Sequence, residues 1–299
     1  MSRPLSQAVK VGWCSLAISL VVLAMKAGAY LMTGSVALYS DALETVINVV
    51  AAAGALTALW FSELPPDANH PYGHHKAEYL SAVVEGALVL ATSGAILHEA
   101  WQGWNHPHRP DMPFRGLGLN AAAGVINLFW AIVLLRCGRR WKSPALVAGG
   151  RHIMSDVWTT GAVLVGFALV PLTGDLRIDA AVAGLVAVNI LWSGYRMLRE
   201  SVGGLMDEVA DPDSLPLLRS IISDNAYGAI EAHDVRTRTA GSVTFVEFHL
   251  VVPGMMSVQA SHDICDRVEA ALRKAVGEAV ISIHVEPEPK AKLLGVPVL

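Results

Sequence analysis

Residues Gly149 to Gly161 read GGRHIMSDVWTTG, and they interrupt a run from Ala145 to Val170 that is otherwise mostly apolar. His152 and Asp156 stand four residues apart in it, which on a helix is one turn and one face. A bilayer-spanning helix needs about 20 apolar residues, and this run is long enough. A histidine and a carboxylate are out of place in lipid. The fold has to give them somewhere else to face.

The rest of the chain has the same character. Of its 299 residues 53% are hydrophobic and 16% charged, and the mean hydropathy is +0.45, so a soluble globular protein is a poor fit. Six segments approach the length of a span: Val11 to Met32, Ser35 to Phe61, Tyr79 to Trp104, Leu117 to Leu135, Ser143 to Val170 and Ile178 to Leu198. Six spans put both termini on one side. Arg3, Lys10, Lys76, Arg136, Arg139, Arg140, Lys142, Arg196 and Arg199 flank the ends on that side, whereas only Arg109, Arg115 and Arg177 flank the other. The excess of positive charge predicts cytoplasmic termini for a multi-pass protein, with a bacterial inner membrane as the expected host. The N-terminal MSRPLSQAVK has no cleavable signal architecture, so the first span is expected to be retained.

Charged residues become frequent only after about Met206, which predicts two domains, residues 1–206 in the membrane and 207–299 in the cytosol. In the second, DPDSLPLLRSIISD reads as a short helix, and HDVRTRTAG and SVTFVEFHLVV as two strands about a turn at Ala240 and Gly241. SVQASHDICDRVEAALRKA is an amphipathic helix opened by Ser257, and AVISIHVEP is a last strand closed by Pro287. The expected fold is thus a six-helix transmembrane bundle followed by an α+β domain of ferredoxin-like α-β-β-α-β order. Ala291 to Leu299 are too few to span a membrane and carry no readable chemistry. The net charge of −4, with no basic tract, argues against a nucleic-acid partner. Cys14, Cys137 and Cys265 lie far apart and offer neither a disulfide framework nor a thiolate zinc site.

A carboxylate or lysine at the bilayer centre costs roughly 2.5 to 3.5 kcal/mol, so Asp41, Glu44 and Asp156 facing lipid would together cost about 8 to 10 kcal/mol. They are expected to face the bundle interior. Glu44 and Asn48 repeat on span two the i, i+4 spacing of His152 and Asp156 on span five. Two such pairs facing each other supply four N and O donors, which suits a divalent cation. Asp41, one turn before Glu44, is either a further ligand or a partner that orients one. For Lys26, Glu85, Arg151 and Glu99, snorkelling at helix ends or pairing between helices suffices in most cases.

Two more clusters lie outside the spans. In LPPDANHPYGHHKAE, the residues Asp67, His70, His74 and His75 fall within one irregular loop that either folds around an ion or is a solvated polar turn. In the tail, alternation puts His249 on the strand face opposite Val246, Phe248 and Leu250, and puts His284 and Glu286 opposite Ile281, Ile283 and Val285. His233 opens the first of these strands and His262 lies in the first turn of the second helix. These residues either converge on one or two ions or are scattered over the surface.

The six spans, the paired ligands, the loop HPYGHHKAE and the tail motif AHDVRTR together resemble the cation diffusion facilitator family, over nearly the whole chain. Members are membrane antiporters that move divalent transition metals against protons. The resemblance implies a homodimer with a transport site at Glu44, Asn48, His152 and Asp156 and a loop site at Asp67, His70 and His74. It also implies a cytosolic regulatory site at His233, His249, His262, His284 and Glu286, and a charge pair between Lys76 and Asp207. Zinc transporters of the family usually have Asp or His and then Asp where this chain has Glu44 and Asn48. Two carboxylates, an imidazole and an amide form a harder donor set, compatible with Zn, Fe(II), Mn or Co. The expected function is export of such a cation from the cytoplasm in exchange for protons, not an enzymatic reaction. A membrane-anchored metal sensor that does not transport is the alternative. An intramembrane metalloprotease is disfavoured because no His-Glu-x-x-His motif is present.

Overall fold

The computed structural model describes residues 6–33, 36–106, 114–175, 177–209, 215–292 and 296–297. The chain divides into two compact units, Met1–Val202 and Gly203–Leu299. Six long helices dominate the first: α1 (Gln7–Thr33), α2 (Val36–Ser62), α3 (Ala77–Asn105), α4 (Phe114–Arg140), α5 (Pro144–Thr173) and α6 (Arg177–Leu205). Helices of this length rise about 40 to 45 Å at 1.5 Å per residue and so exceed a hydrocarbon core of about 30 Å. Five of them, α1, α2, α3, α4 and α6, contain described stretches long and apolar enough to cross a bilayer. The longest is α5, at 30 residues.

Several helices outrun the apolar segments that announce them. α4 continues past Leu135 to Arg140, and α6 past Leu198 to Leu205. Backbone hydrogen bonding does not require an apolar side chain, and the arginines that end α4 are good helix formers able to reach the interface. The burial pattern is that of a bundle in lipid. Trp13, Leu31, Trp101, Phe129, Leu185 and Trp192 are exposed, while Asn48, Glu78, Glu85, His152 and Asp156 are buried. Apolar groups outside and ionisable groups inside are what a hydrocarbon solvent selects.

The position of α5 follows from its start and from its neighbour α4. Ser143 accepts a hydrogen bond from the Leu146 backbone N–H at 3.4 Å, and Pro144 occupies the first turn, where its missing N–H costs nothing. The Ser143 hydroxyl also donates to buried Glu78 of α3. α4 and α5 approach through glycines: a methyl group on Gly138 would lie 2.8 Å from the Val147 backbone nitrogen, and one on Gly150 would lie 2.9 Å from Leu135. Any larger residue there would push apart the helix that carries His152 and Asp156.

The second unit contains α7 (Leu215–Asn225), β1 (Glu231–Ala240), β2 (Val243–Val252), α8 (Val258–Val276), β3 (Ala279–Pro287) and β4 (Val296–Pro297). The first five elements run α-β-β-α-β, and β4 adds a short strand that the sequence reading does not contain. Sheet order is β3-β2-β1-β4. Ala240 pairs with Val243, so β1 and β2 are joined by two residues, and Gly241 takes the positive φ of 55° that so tight a hairpin requires. α8 carries the chain from β2 to its parallel neighbour β3, a connection an antiparallel hairpin turn cannot make. Ser257 caps α8 by accepting from the Ala260 N–H at 3.2 Å. Val246, Phe248 and Leu250 of β2 pack against Leu218 and Ile222 of α7 and Ile264, Val268 and Leu272 of α8. This core uses one face of the sheet and leaves His249 on the other.

Candidate metal sites

In the membrane unit, α2 and α5 are tied by a buried hydrogen bond in which Asn48 Nδ2 donates to Asp156 Oδ2 at 2.5 Å. The bond leaves Asn48 Oδ1 buried with no hydrogen-bond partner among the described residues. A buried acceptor without a donor costs free energy unless something else occupies it. His152, one turn before Asp156, lines a small cavity together with Asn48. Gly12, Ser15, Ala51, Ala52, Ala55 and Gly149 contribute to its wall, and their small side chains leave the space open. The described geometry brings together three of the four expected intramembrane donors. The side chains of Glu44 and Asp41, both on α2, lie outside the described residues.

The loop before α3 folds around Asp67. Its Oδ1 accepts from the backbone N–H groups of Asn69 and His70 at 2.9 and 2.6 Å. The His70 N–H, the nearer donor, holds the Asp67 carboxyl below the usual carboxylate range. His70 Nδ1 lies 3.1 Å from Oδ1, and His74 Nε2 lies 3.3 Å from Oδ2 and 3.1 Å from His70 Nδ1. One ligand atom from each of these three side chains falls within 4.8 Å of the others, so the loop has the compactness of a metal site. His74 is buried against Phe61, with ring centroids 4.6 Å apart, and Asp67 and His70 are exposed, which leaves the outer side open to water or another ligand.

In the tail, register does the work. His233 of β1 sits opposite His249 of β2, and His249 opposite His284 of β3, so three histidines form one row across the sheet. Glu286 reaches back toward all three, its oxygens lying 3.3 Å from His233 Nε2, 3.4 Å from His249 Nδ1 and 3.7 Å from His284 Nε2. His233, His249 and Glu286 form the second compact ligand group among the described residues. His233 is buried, with its Nε2 lacking a hydrogen-bond partner among them. Its other nitrogen, Nδ1, lies 2.9 Å from Glu231 Oε1, an arrangement that orients the ring and leaves Nε2 for an ion. The donor set therefore fits a divalent metal. His262 is not drawn into this group. The packed face of α8 is Ser261, Ile264, Cys265 and Val268, so His262 turns outward and its Nε2 lies 3.7 Å from Asp266 on the same helix.

Residues 12–206 match the family described as the cation efflux transmembrane domain, and residues 210–288 match the cytoplasmic domain of cation efflux proteins. The chain belongs to the cation diffusion facilitator family. An uncharacterized transporter of Synechocystis sp., sll1263, is 38% identical over 279 residues, covering 93% of this chain and 90% of that protein. The cation-efflux pump FieF of Serratia proteamaculans is 32% identical over 276 residues, covering 91% of this chain and 90% of that protein. The zinc form of a candidate zinc transporter, CzrB, is 42% identical to 29% of this chain and matches 99% of that chain, with a TM-score of 0.28.

This cation diffusion facilitator also has a group that the sequence reading passed over. Glu231 orients His233 and itself accepts the Lys292 N–H at 2.6 Å; its only signal in the sequence was its place two residues earlier on the same strand face. Arg151 pairs with Glu200 at 2.7 Å, the interhelical bond expected of it. Glu85 does not conform to that expectation. It sits inside the bundle, 2% exposed, with neither snorkelling nor a hydrogen-bond partner among the described residues to account for it.

Proposed function

We propose that this family member exports a divalent transition-metal cation from the cytoplasm through six spans in exchange for protons, as a homodimer with cytoplasmic termini and a membrane part that gives way to the tail near residues 206–207. The observation that carries the reading is the orphaned Asn48 carbonyl beside Asp156 and His152 in a cavity inside the bundle. Asn48, His152 and Asp156, completed by Glu44, would hold the ion. An imidazole and carboxylates bind a metal only when deprotonated, so loading from the cytoplasm expels protons and protonation from the far side releases the metal. Rocking of helices about a site of fixed composition would expose it alternately to either side. The mixed donor set is compatible with Zn, Fe(II), Mn or Co. The loop cluster around Asp67 would hold a cytosolic ion. In the tail, His233, His249 and Glu286 would hold a regulatory ion, with His284 and His262 serving a second.

The test is Zn²⁺ uptake by the full-length protein in sealed proteoliposomes. An acidic lumen should accelerate uptake and an alkaline lumen should slow it. Flux indifferent to the gradient would replace antiport with uniport. Metal binding with no flux under any gradient would point to a sensor.

A further inference from the structure

Glu85 lies on α3 eight residues after Ala77, and both of its carboxylate oxygens are buried with no hydrogen-bond partner among the described residues. Glu78, two turns earlier on the same helix, is also buried but accepts hydrogen bonds from Ser62 and Ser143. The two carboxylates thus differ in what satisfies them. Glu85 lines the same cavity as Asn48 and His152. Its position along α5 can be read from Gly149, where an added methyl group would come 3.5 Å from Glu85 Oε2. Gly149, His152 and Asp156 follow one another at helical spacing, so the Glu85 carboxylate stands one turn before His152 and two before Asp156, toward the start of α5. A helical side chain tilts toward its own N-terminus, which brings Glu85 to that level from α3.

A carboxylate in a low-dielectric cavity without a hydrogen-bond donor needs a positive charge or a proton from elsewhere. A divalent cation passing through the cavity supplies one. We propose that Glu85 is a staging ligand for the divalent cation, a position on the cytoplasmic approach from which the ion passes to Asn48, His152 and Asp156. The inference rests on reading that group as the transport site and on the cytoplasmic start of α3 and α5.

Two measurements on the full-length protein test it. In proteoliposomes, Glu85→Gln should raise the KM for Zn²⁺ about tenfold and change kcat by no more than about twofold, with Glu85→Asp intermediate, because loading is weakened and the final site is intact. In protein whose three native cysteines are replaced by alanine, Glu85→Cys should give a sulfur-to-cobalt charge-transfer band when Co²⁺ is added, because only a ligand at position 85 supplies the sulfur. An unchanged KM in the Gln variant, or no band in the Cys variant, overturns the proposal and shows a neutral acid that only fills space. Adding Asp156→Ala to the Cys variant separates the two ideas. Loss of flux with the band retained supports both, whereas flux that survives Asp156→Ala defeats the transport-site reading and leaves the band to judge Glu85.

Discussion

In the membrane unit Asn48 and Asp156 are delivered by two helices that meet face to face, whereas in the tail His233, His249 and His284 are delivered by three neighbouring strands. A helix can place two ligands four residues apart on one face, so half of the proposed intramembrane site is a local property of α5. A strand can place only one residue of the row, so the proposed tail site forms only when the register is right. A slip of one residue on β2 would turn His249 into the core and bring Phe248 out of it. The helical site therefore depends on how closely two preformed elements approach, and the sheet site on the folding of the whole domain.

The largest effect should come from breaking the helical half. Asp156→Ala removes a proposed ligand and the acceptor of the Asn48 amide, and Zn²⁺ flux should fall at least about a hundredfold, since the proposed site loses one of its charged donors. Size-exclusion of the purified variant should show the same oligomer, because the intramembrane charge that is lost opposed folding. Flux within threefold of wild type would remove Asp156 from the site.

Phe248→Ala tests whether the tail site is a property of the domain's fold. Phe248 is buried in the tail core on the strand that carries His249, and its truncation should cost about 3 to 5 kcal/mol. That is a large share of a typical domain's stability of about 5 to 15 kcal/mol, so Zn²⁺ binding by the tail ligands should weaken although none of them is touched. Chemical denaturation followed alongside Zn²⁺ stoichiometry checks this. Undiminished tail binding in a destabilised variant would show that the row forms locally.

The converse experiment removes ligands and keeps the core. In His233→Ala with His249→Ala, the stabilisation of the tail by Zn²⁺, about 2.7 kcal/mol at a hundredfold excess over Kd, should disappear. Thermal unfolding with and without the metal reads it directly. Retention of the full shift would mean that the row is not the site.

The smallest effect concerns the segment after β3. Lys292 Nζ bonds Asp234 at 2.6 Å, and this hydrogen bond holds the Asp234 carboxyl below its usual range. A carboxyl depressed in the folded state stabilises it above the ordinary Asp value near 4, and that contribution is lost as pH falls through the lower folded-state value. Asp234→Asn should therefore lower the unfolding midpoint slightly at neutral pH, and the difference should close in acid. A difference that persists at pH 2 would have to come from the backbone at Asp234, where φ is 51°.

Hydropathy announced the long helices, and alternation announced β2, β3 and the faces on which His249 and His284 would lie, because both are repeats within a single element. The contacts of His233 with Glu231 and Glu286, and of Asp67 with His70 and His74, were beyond such reading, since they depend on register and on the path of a loop. β4 is two residues long and pairs Val296 with Ala232, too short for any period to show. His262 was indistinguishable from the other tail histidines until the packed face of α8 was known. The clearest case is α3. Glu78 and Glu85 are the same residue on the same helix, and nothing in their spacing says that one meets two serines and the other none. Composition and periodicity determined that this chain crosses a membrane with ionisable groups turned inward, because lipid penalises every exposed charge. Which of those groups bond to each other and which face the cavity was decided by the packing of α2, α3, α4 and α5, where the approach at Gly138 and Gly150 sets distances no local repeat encodes.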